Sequence, residues 1–129
     1  KQAVRKVCGN KKTLKKMIEV TIEEPRENIV ILHIDGEFYI ENIQKVEGIW
    51  GEQISKKPEV IALDCGKLEY IDSSAIGTLV KFLNSAMNKQ IKLVFYDLSP
   101  SIGQIFRTAR LNNFFTIMTG AQFKKEYLS

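Results

Sequence analysis

The sequence predicts a small α/β domain: a mixed, mostly parallel sheet of four or five strands covered mainly by helices, with an antiparallel strand at one edge. Three observations carry this. Ile18, Val20 and Ile22 alternate with Glu19, Thr21 and Glu23, the period-two pattern of a strand with one wet face. Val60–Leu63 and Ile91–Tyr96 are short continuous apolar runs, as in strands buried on both faces. Between and after them, apolar residues recur at helical spacing. Alternating strands and helices imply parallel pairing through right-handed crossovers. A length of 129 residues fits one domain with one core.

Taken in order, Ile18–Glu23 is the first strand and Pro25–Asn28 reads as a turn. Asn28–Asp35 (NIVILHID) is a second strand, forming a hairpin with the first, and Gly36 is expected to end it. Glu41–Ser55 spaces Ile43, Val46, Ile49, Trp50 and Ile54 as a helix, although Gly48 and Gly51 each cost about 1 kcal/mol against alanine there. Trp50 is expected to be a core or hinge aromatic. Pro58 opens the next element, the strand Val60–Leu63, which closes in Asp64 and Cys65, and Gly66–Ser74 is read as a loop. A helix follows, with Ile76, Leu79, Val80, Leu83, Ala86 and Met87 as its apolar stripe and Thr78, Lys81 and Ser85 on the other side. Ile91–Tyr96 is the next strand. Pro100 suits the first turn of a third helix carrying Ile102, Ile105, Phe106 and Ala109. Phe114–Met118 is a short last strand and Ala121–Leu128 a terminal helix, giving the order ββαβαβαβα.

The net charge of +4 is unevenly spread. Of the 19 cations, seven lie in residues 1–16 with no acid, leaving 12 cations against 15 acids in the rest. Residues 1–16 are expected to be a basic, disordered tail, and residues 17–129 the domain. Met17 is a candidate natural start, and whether the tail is native stays open. Such a tail could bind nucleic acid or an anionic membrane, but a solvated extension is the expected reading. The folded region lacks the basic, aromatic face of a nucleic-acid binder. No stretch approaches the roughly 20 apolar residues of a membrane span, and the basic start leads into no apolar signal segment. A cytoplasmic location is expected. Cys8 and Cys65 make no disulfide framework; Cys65 is expected to be a small, half-buried thiol. Two distant cysteines and the lone His33 cannot assemble a metal site, and His33 is expected to be packed or edge-exposed. No cofactor is expected.

Ligands of open α/β sheets bind beyond the carboxyl ends of the strands. That edge holds Gly66–Ser74 and the start of the clearest helix, where Asp72, Ser73 and Ser74 precede the apolar stripe. Asp and Ser are favoured N-caps, each contributing about 1 kcal/mol, so one of the three caps the helix. Two further small polar residues exceed that need. Catalytic readings fare worse. A nucleophilic serine needs a base within reach, and His33 lies mid-strand, away from this loop. Neither GxGxxG nor GxxxxGK[ST] occurs. Asp64, Glu69 and Asp72 could bind Mg²⁺ together, yet scattered loop carboxylates are more often solvated. The chain is therefore expected not to be an enzyme but to act by docking to a protein partner. A serine at a helix N-terminus is a good phosphate acceptor: the dianion meets the helix dipole and free N–H groups.

The segments VIALDCGKLEYIDSSAIGTLVKFLNSA and IKLVFYDLSPSIGQIFRTARLNNFF resemble the STAS-domain family of anti-sigma factor antagonists over about residues 18–123. The most specific features are the strand, its spacer from Leu68 to Ile71, Asp72-Ser73-Ser74 followed by Ile76-Gly77, and the later Ser99-Pro100 before an amphipathic helix. The resemblance implies a STAS-like fold for residues 17–129 and regulation of sigma-factor-dependent transcription by partner switching. An anti-sigma factor kinase of the GHKL type would phosphorylate Ser73; the unphosphorylated chain would bind that kinase, and a PP2C-type phosphatase would reset it. Asp72 and Ser74 would flank the acceptor, with Ile76 and Gly77 on the docking face. Two positions depart from the family pattern: Tyr39 stands where an aspartate often lies near the partner, and Ala75 replaces the usual glycine after the two serines. STAS domains also serve as non-switching scaffolds of stress-signalling complexes or as transport accessories, including lipid transport, and this is the alternative. A receiver-like phosphoacceptor using Asp64 is a third reading, weakened because no lysine follows a late strand in the expected way.

Overall fold

The structure, a computed structural model, describes residues 18–129. The basic stretch expected to be a tail, residues 1–16, lies outside the described residues, as does Cys8. Five strands form one sheet in the order β1-β2-β3-β4-β5. β1 (Glu19–Arg26) runs antiparallel to β2 (Ile29–Phe38) at one edge. β3 (Val60–Ile71), β4 (Lys92–Tyr96) and β5 (Thr116–Met118) add in parallel. Helices α1 (Ile43–Ser55), α2 (Ser73–Asn88) and α3 (Pro100–Thr108) connect the parallel strands, and α4 (Gly120–Phe123) opens the terminal segment. The predicted order of elements and the antiparallel edge strand are both present.

The core lies between one face of the sheet and α1–α3, where Val20, Leu32, Phe38, Ile61, Leu63, Phe95 and Phe106 meet. Trp50 of α1 is a core residue: its ring stacks on Phe82 of α2 at 4.4 Å between centroids. A smaller apolar cluster on the opposite face joins Ile29, Ile31, Val60, Ala62, Val94 and Tyr96 to Phe123. Tyr96 and Phe123 stack at 4.8 Å, and a π-helical turn over Lys124–Leu128 continues α4 across this face.

Several expectations are corrected. Gly36 does not end β2, and Gly66–Ile71 is not a loop. Both strands run on, with pairs Gly36↔Leu68, Glu37↔Tyr70 and Phe38↔Ile71. Two slips of register, between His33 and Asp35 and between Gly36 and Glu37, absorb the irregular stretch. Gly36 has φ of 118°, open to glycine but strained for other residues. The gain is burial of Phe38, Leu68 and Ile71, each worth roughly 1.5–3 kcal/mol relative to full exposure. β1 likewise extends past Pro25 to Arg26 through a slip after Glu23, leaving a turn of only Glu27 and Asn28. Proline is tolerated there because the strand is an edge.

The α2 stripe is rotated from its expected place. Ala75, Thr78, Leu79, Phe82 and Ala86 are buried, whereas Met87 is 63% exposed. Thr78 enters the core because its Oγ1 donates to the Ser74 carbonyl at 3.1 Å, satisfying the hydroxyl within the helix. Ile76, Val80 and Leu83 flank the core instead of centring on it. Cys65 is fully buried, not half-buried, and burial raises its thiol pKa. The last strand begins at Thr116, since Phe115 turns inward to stack on Phe95 at 4.6 Å while Phe114 is left exposed.

Candidate functional site

The extension of β2 and β3 places their carboxyl ends beside the start of α2. Asp72 sits at the junction in extended conformation, with φ of −97° and ψ of 178°. Its Oδ1 accepts from the Ala75 N–H at 2.9 Å and caps the helix. Its Oδ2 accepts from the Ile40 N–H at 3.0 Å, tying the β2–α1 connection to the same point. The Asp72 N–H donates to the Phe38 carbonyl at 3.2 Å. One residue, through its carboxylate and its backbone N–H, thus joins the ends of two strands and a helix.

Because Asp72 supplies the cap, the Ser73 hydroxyl is not needed for it. Ser73 is the first residue of α2 and is exposed. Ser74 is half-buried, and its carbonyl receives the Thr78 hydroxyl. Ile76 is half-buried one turn along, and Gly77 is exposed with open space where a Cβ would stand. Tyr39 packs its ring against Tyr70 with centroids 5.5 Å apart. A side-chain hydrogen bond to Glu37, then burial, raise the Tyr39 pKa above 10.0. The structure therefore gathers Tyr39, Asp72, Ser73 and Ser74 at one sheet edge, with Ile76 and Gly77 on the adjoining helical turn.

Two residues of this edge were missed in the sequence. Ile40 is 60% exposed and Tyr70 is 42% exposed, large apolar side chains left in water beside the helix start. Tyr70 was hidden because its segment read as a loop. Simple alternation would not have found it: past Gly66 the strand buries Leu68 and Ile71 and exposes both Glu69 and Tyr70 between them, because the register slips there.

The Mg²⁺ reading loses its geometry. Asp64 binds His33 and accepts the Gly66 N–H, while Asp72 is committed to the cap. Among the described residues, no group of three His, Cys, Asp or Glu side chains is placed to hold a metal ion. No helix among the described residues is long and apolar enough to cross a membrane.

No curated protein matches the chain. Among solved structures, a putative anti-sigma factor antagonist from Thermotoga maritima is similar with a TM-score of 0.76 at 20% identity, covering 85% of this chain and 95% of that one. The Bacillus cell fate determinant SpoIIAA in its phosphorylated form is similar with a TM-score of 0.65 at 15% identity, covering 83% and 97%. A sulfate transporter family protein from Wolinella succinogenes is similar with a TM-score of 0.63 at 18% identity, covering 72% and 78%. At these identities the likeness is one of fold. The sequence model of the STAS domain matches residues 18–123, nearly the whole described span, with the strand ends and helix start of the site inside it. This chain therefore belongs to the STAS domain family.

Proposed function

We propose that this STAS domain is a cytoplasmic anti-sigma factor antagonist that works by partner switching and has no catalysis of its own. With Ser73 unmodified it docks to a GHKL-type anti-sigma factor kinase, freeing a sigma factor. Phosphorylation of Ser73 by that kinase ends the complex, and a PP2C-type phosphatase restores it. The observation that carries this reading is the division of labour at α2: Asp72 caps the helix, and Ser73 is exposed at its first position. Phosphoserine there adds about −1.5 to −2 charge at pH 7 to a surface flanked by Ile40, Tyr70 and Tyr39. A dianion brought into a packed apolar interface disfavours the complex by desolvation. The fold similarity to a SpoIIAA described in its phosphorylated form supports the reading.

The test is capture by immobilised wild type, Ser73→Ala and Ser73→Asp from lysate of the source organism, with mass spectrometry of the bound proteins. Wild type and Ser73→Ala are expected to retain a GHKL-type kinase that Ser73→Asp loses. In a purified reaction with that kinase and ATP, Ser73→Ala takes no label. Equal capture of the same partners by all three forms would instead make the domain a non-switching scaffold or transport accessory, and the phosphoswitch would fall.

A further inference from the structure

The sheet face opposite α1–α3 carries a charged cluster that the docking edge does not use. His33 on β2 lies directly opposite Asp64 in the parallel ladder, and opposite Thr21 in the antiparallel one, with Glu23 two residues further along β1. The ring is held from both sides: Nδ1 is 2.6 Å from Asp64 Oδ2 and Nε2 is 2.7 Å from Glu23 Oε1. The two carboxylates approach opposite ring nitrogens, so they do not converge on one point as metal ligands would. Asp64 is itself fixed, since its Oδ1 accepts the Gly66 N–H at 3.0 Å just where β3 slips register.

We propose that Glu23, His33 and Asp64 form a proton-operated clasp that fastens edge strand β1 across β2 to β3 and opens when the imidazole loses its proton.

The chemistry follows from the ring. An imidazolium donates from both nitrogens and satisfies both carboxylates. A neutral imidazole has one N–H; its other nitrogen turns a lone pair toward a carboxylate oxygen, and one link is lost. Every element around the ring contributes charge. Glu19 and Glu23 come from β1, Asp35 from β2, and Asp64 and Lys67 from β3, while Tyr96 and Asp97 at the end of β4 and Lys124 after α4 line the far side. Acids outnumber lysines in this surrounding, which favours the charged ring. Burial opposes the charge and lowers the pKa, but the hydrogen bonds and charges of Glu23 and Asp64 outweigh it, leaving His33 above 6.5. A histidine whose folded pKa is raised stabilises the fold fully below the unfolded value. That contribution fades as pH rises from 6.5 through the folded value. β1 has a strand neighbour on one side only, so its outer end is where loss of the clasp is felt.

His33 is the only histidine, so the full chain gives a single imidazole signal in an NMR titration. The expected result is a midpoint above 6.5 in wild type and a lower one in Glu23→Gln and in Asp64→Asn. In urea unfolding, the wild-type folding constant should fall by about tenfold per unit of pKa elevation as pH passes through the window, and His33→Gln should not show that fall. Amides of Thr21 and Glu23 should exchange faster above the midpoint than expected from the chemical pH dependence alone. A wild-type midpoint at or below 6.5, or a midpoint unchanged in Glu23→Gln, overturns the clasp. Asparagine at 64 keeps a carbonyl oxygen for the Gly66 N–H, and should Asp64→Asn still fail to fold, the exposed Glu23→Gln variant decides the matter.

Discussion

Asp72 performs two jobs with two oxygens, and a substitution series separates them. Asparagine keeps a side-chain carbonyl to accept from Ala75 but turns an NH₂ toward the Ile40 N–H, which then lacks its acceptor. Alanine removes both bonds. Asparagine caps about as well as aspartate, so Asp72→Asn should lose the Ile40 bond and some favourable charge at the helix start, about 0.5–1 kcal/mol in total because water can reach the exposed amide. Asp72→Ala adds the loss of the cap, about 1 kcal/mol more, for roughly 1.5–2 kcal/mol. With a urea m-value of about 1–1.5 kcal/mol/M for a domain of this size, the midpoint should fall by roughly 0.5 M for asparagine and about 1.5 M for alanine. The assay is urea unfolding followed by circular dichroism, accepted where the m-value is unchanged. If asparagine is as damaging as alanine, the cap is not what holds α2. If asparagine matches wild type, the Ile40 bond contributes nothing and the β2–α1 connection is held by something other than Asp72.

Phe82→Ala should destabilise the fold by about 3–5 kcal/mol, since it empties a core site and unstacks Trp50; thermal unfolding with Trp50 fluorescence reads it. Cys65 is buried and its thiol pKa is raised, so in a Cys8→Ser background it should resist a thiol reagent in native buffer and react fully in denaturant; rapid native labelling would contradict the packing of β3. Ser73→Asp should stay within about 1 kcal/mol of wild type in urea, because the charge at the helix N-terminus is favourable and offsets repulsion from Asp72. A large loss of stability there would mean that altered partner capture reports unfolding rather than the interface.

Most of the secondary structure was legible because its signals are local. The alternation in β1, the apolar runs of β3 and β4, and Ser99-Pro100 at the start of α3 each need only neighbouring residues. The α2 stripe was legible as helical but misplaced. Its orientation is set by where Asp72 caps and by Phe82 meeting Trp50 of another helix, and a single-helix pattern cannot weigh Thr78 against Met87 when the threonine is satisfied inside its own turn. Asp72, Ser73 and Ser74 stood out as a motif, yet which of them caps was left open by the sequence. The exposed ring of Tyr70 and the exposed Ile40 were not seen as part of the edge.

The same slips of register explain what was hidden at both places of interest. Glycines at 36 and 66 look like strand ends, and each lies beside an irregular step between β2 and β3 rather than at a terminus. Beyond the steps, the strands carry Phe38, Leu68 and Ile71 into the core. That extension brings Tyr39 against Tyr70 and delivers Asp72 to both Ala75 and Ile40. Before the steps, the undisturbed ladder sets His33 opposite Asp64, a pairing between residues 31 positions apart. Had β3 been shifted by one residue, its side chains would exchange faces: Asp64 would point into the helical core and Cys65 toward His33. The register that buries Leu63 and Cys65 is thus the one that presents Asp64 to the imidazole, and burial of the core dictates the charged cluster on the opposite face.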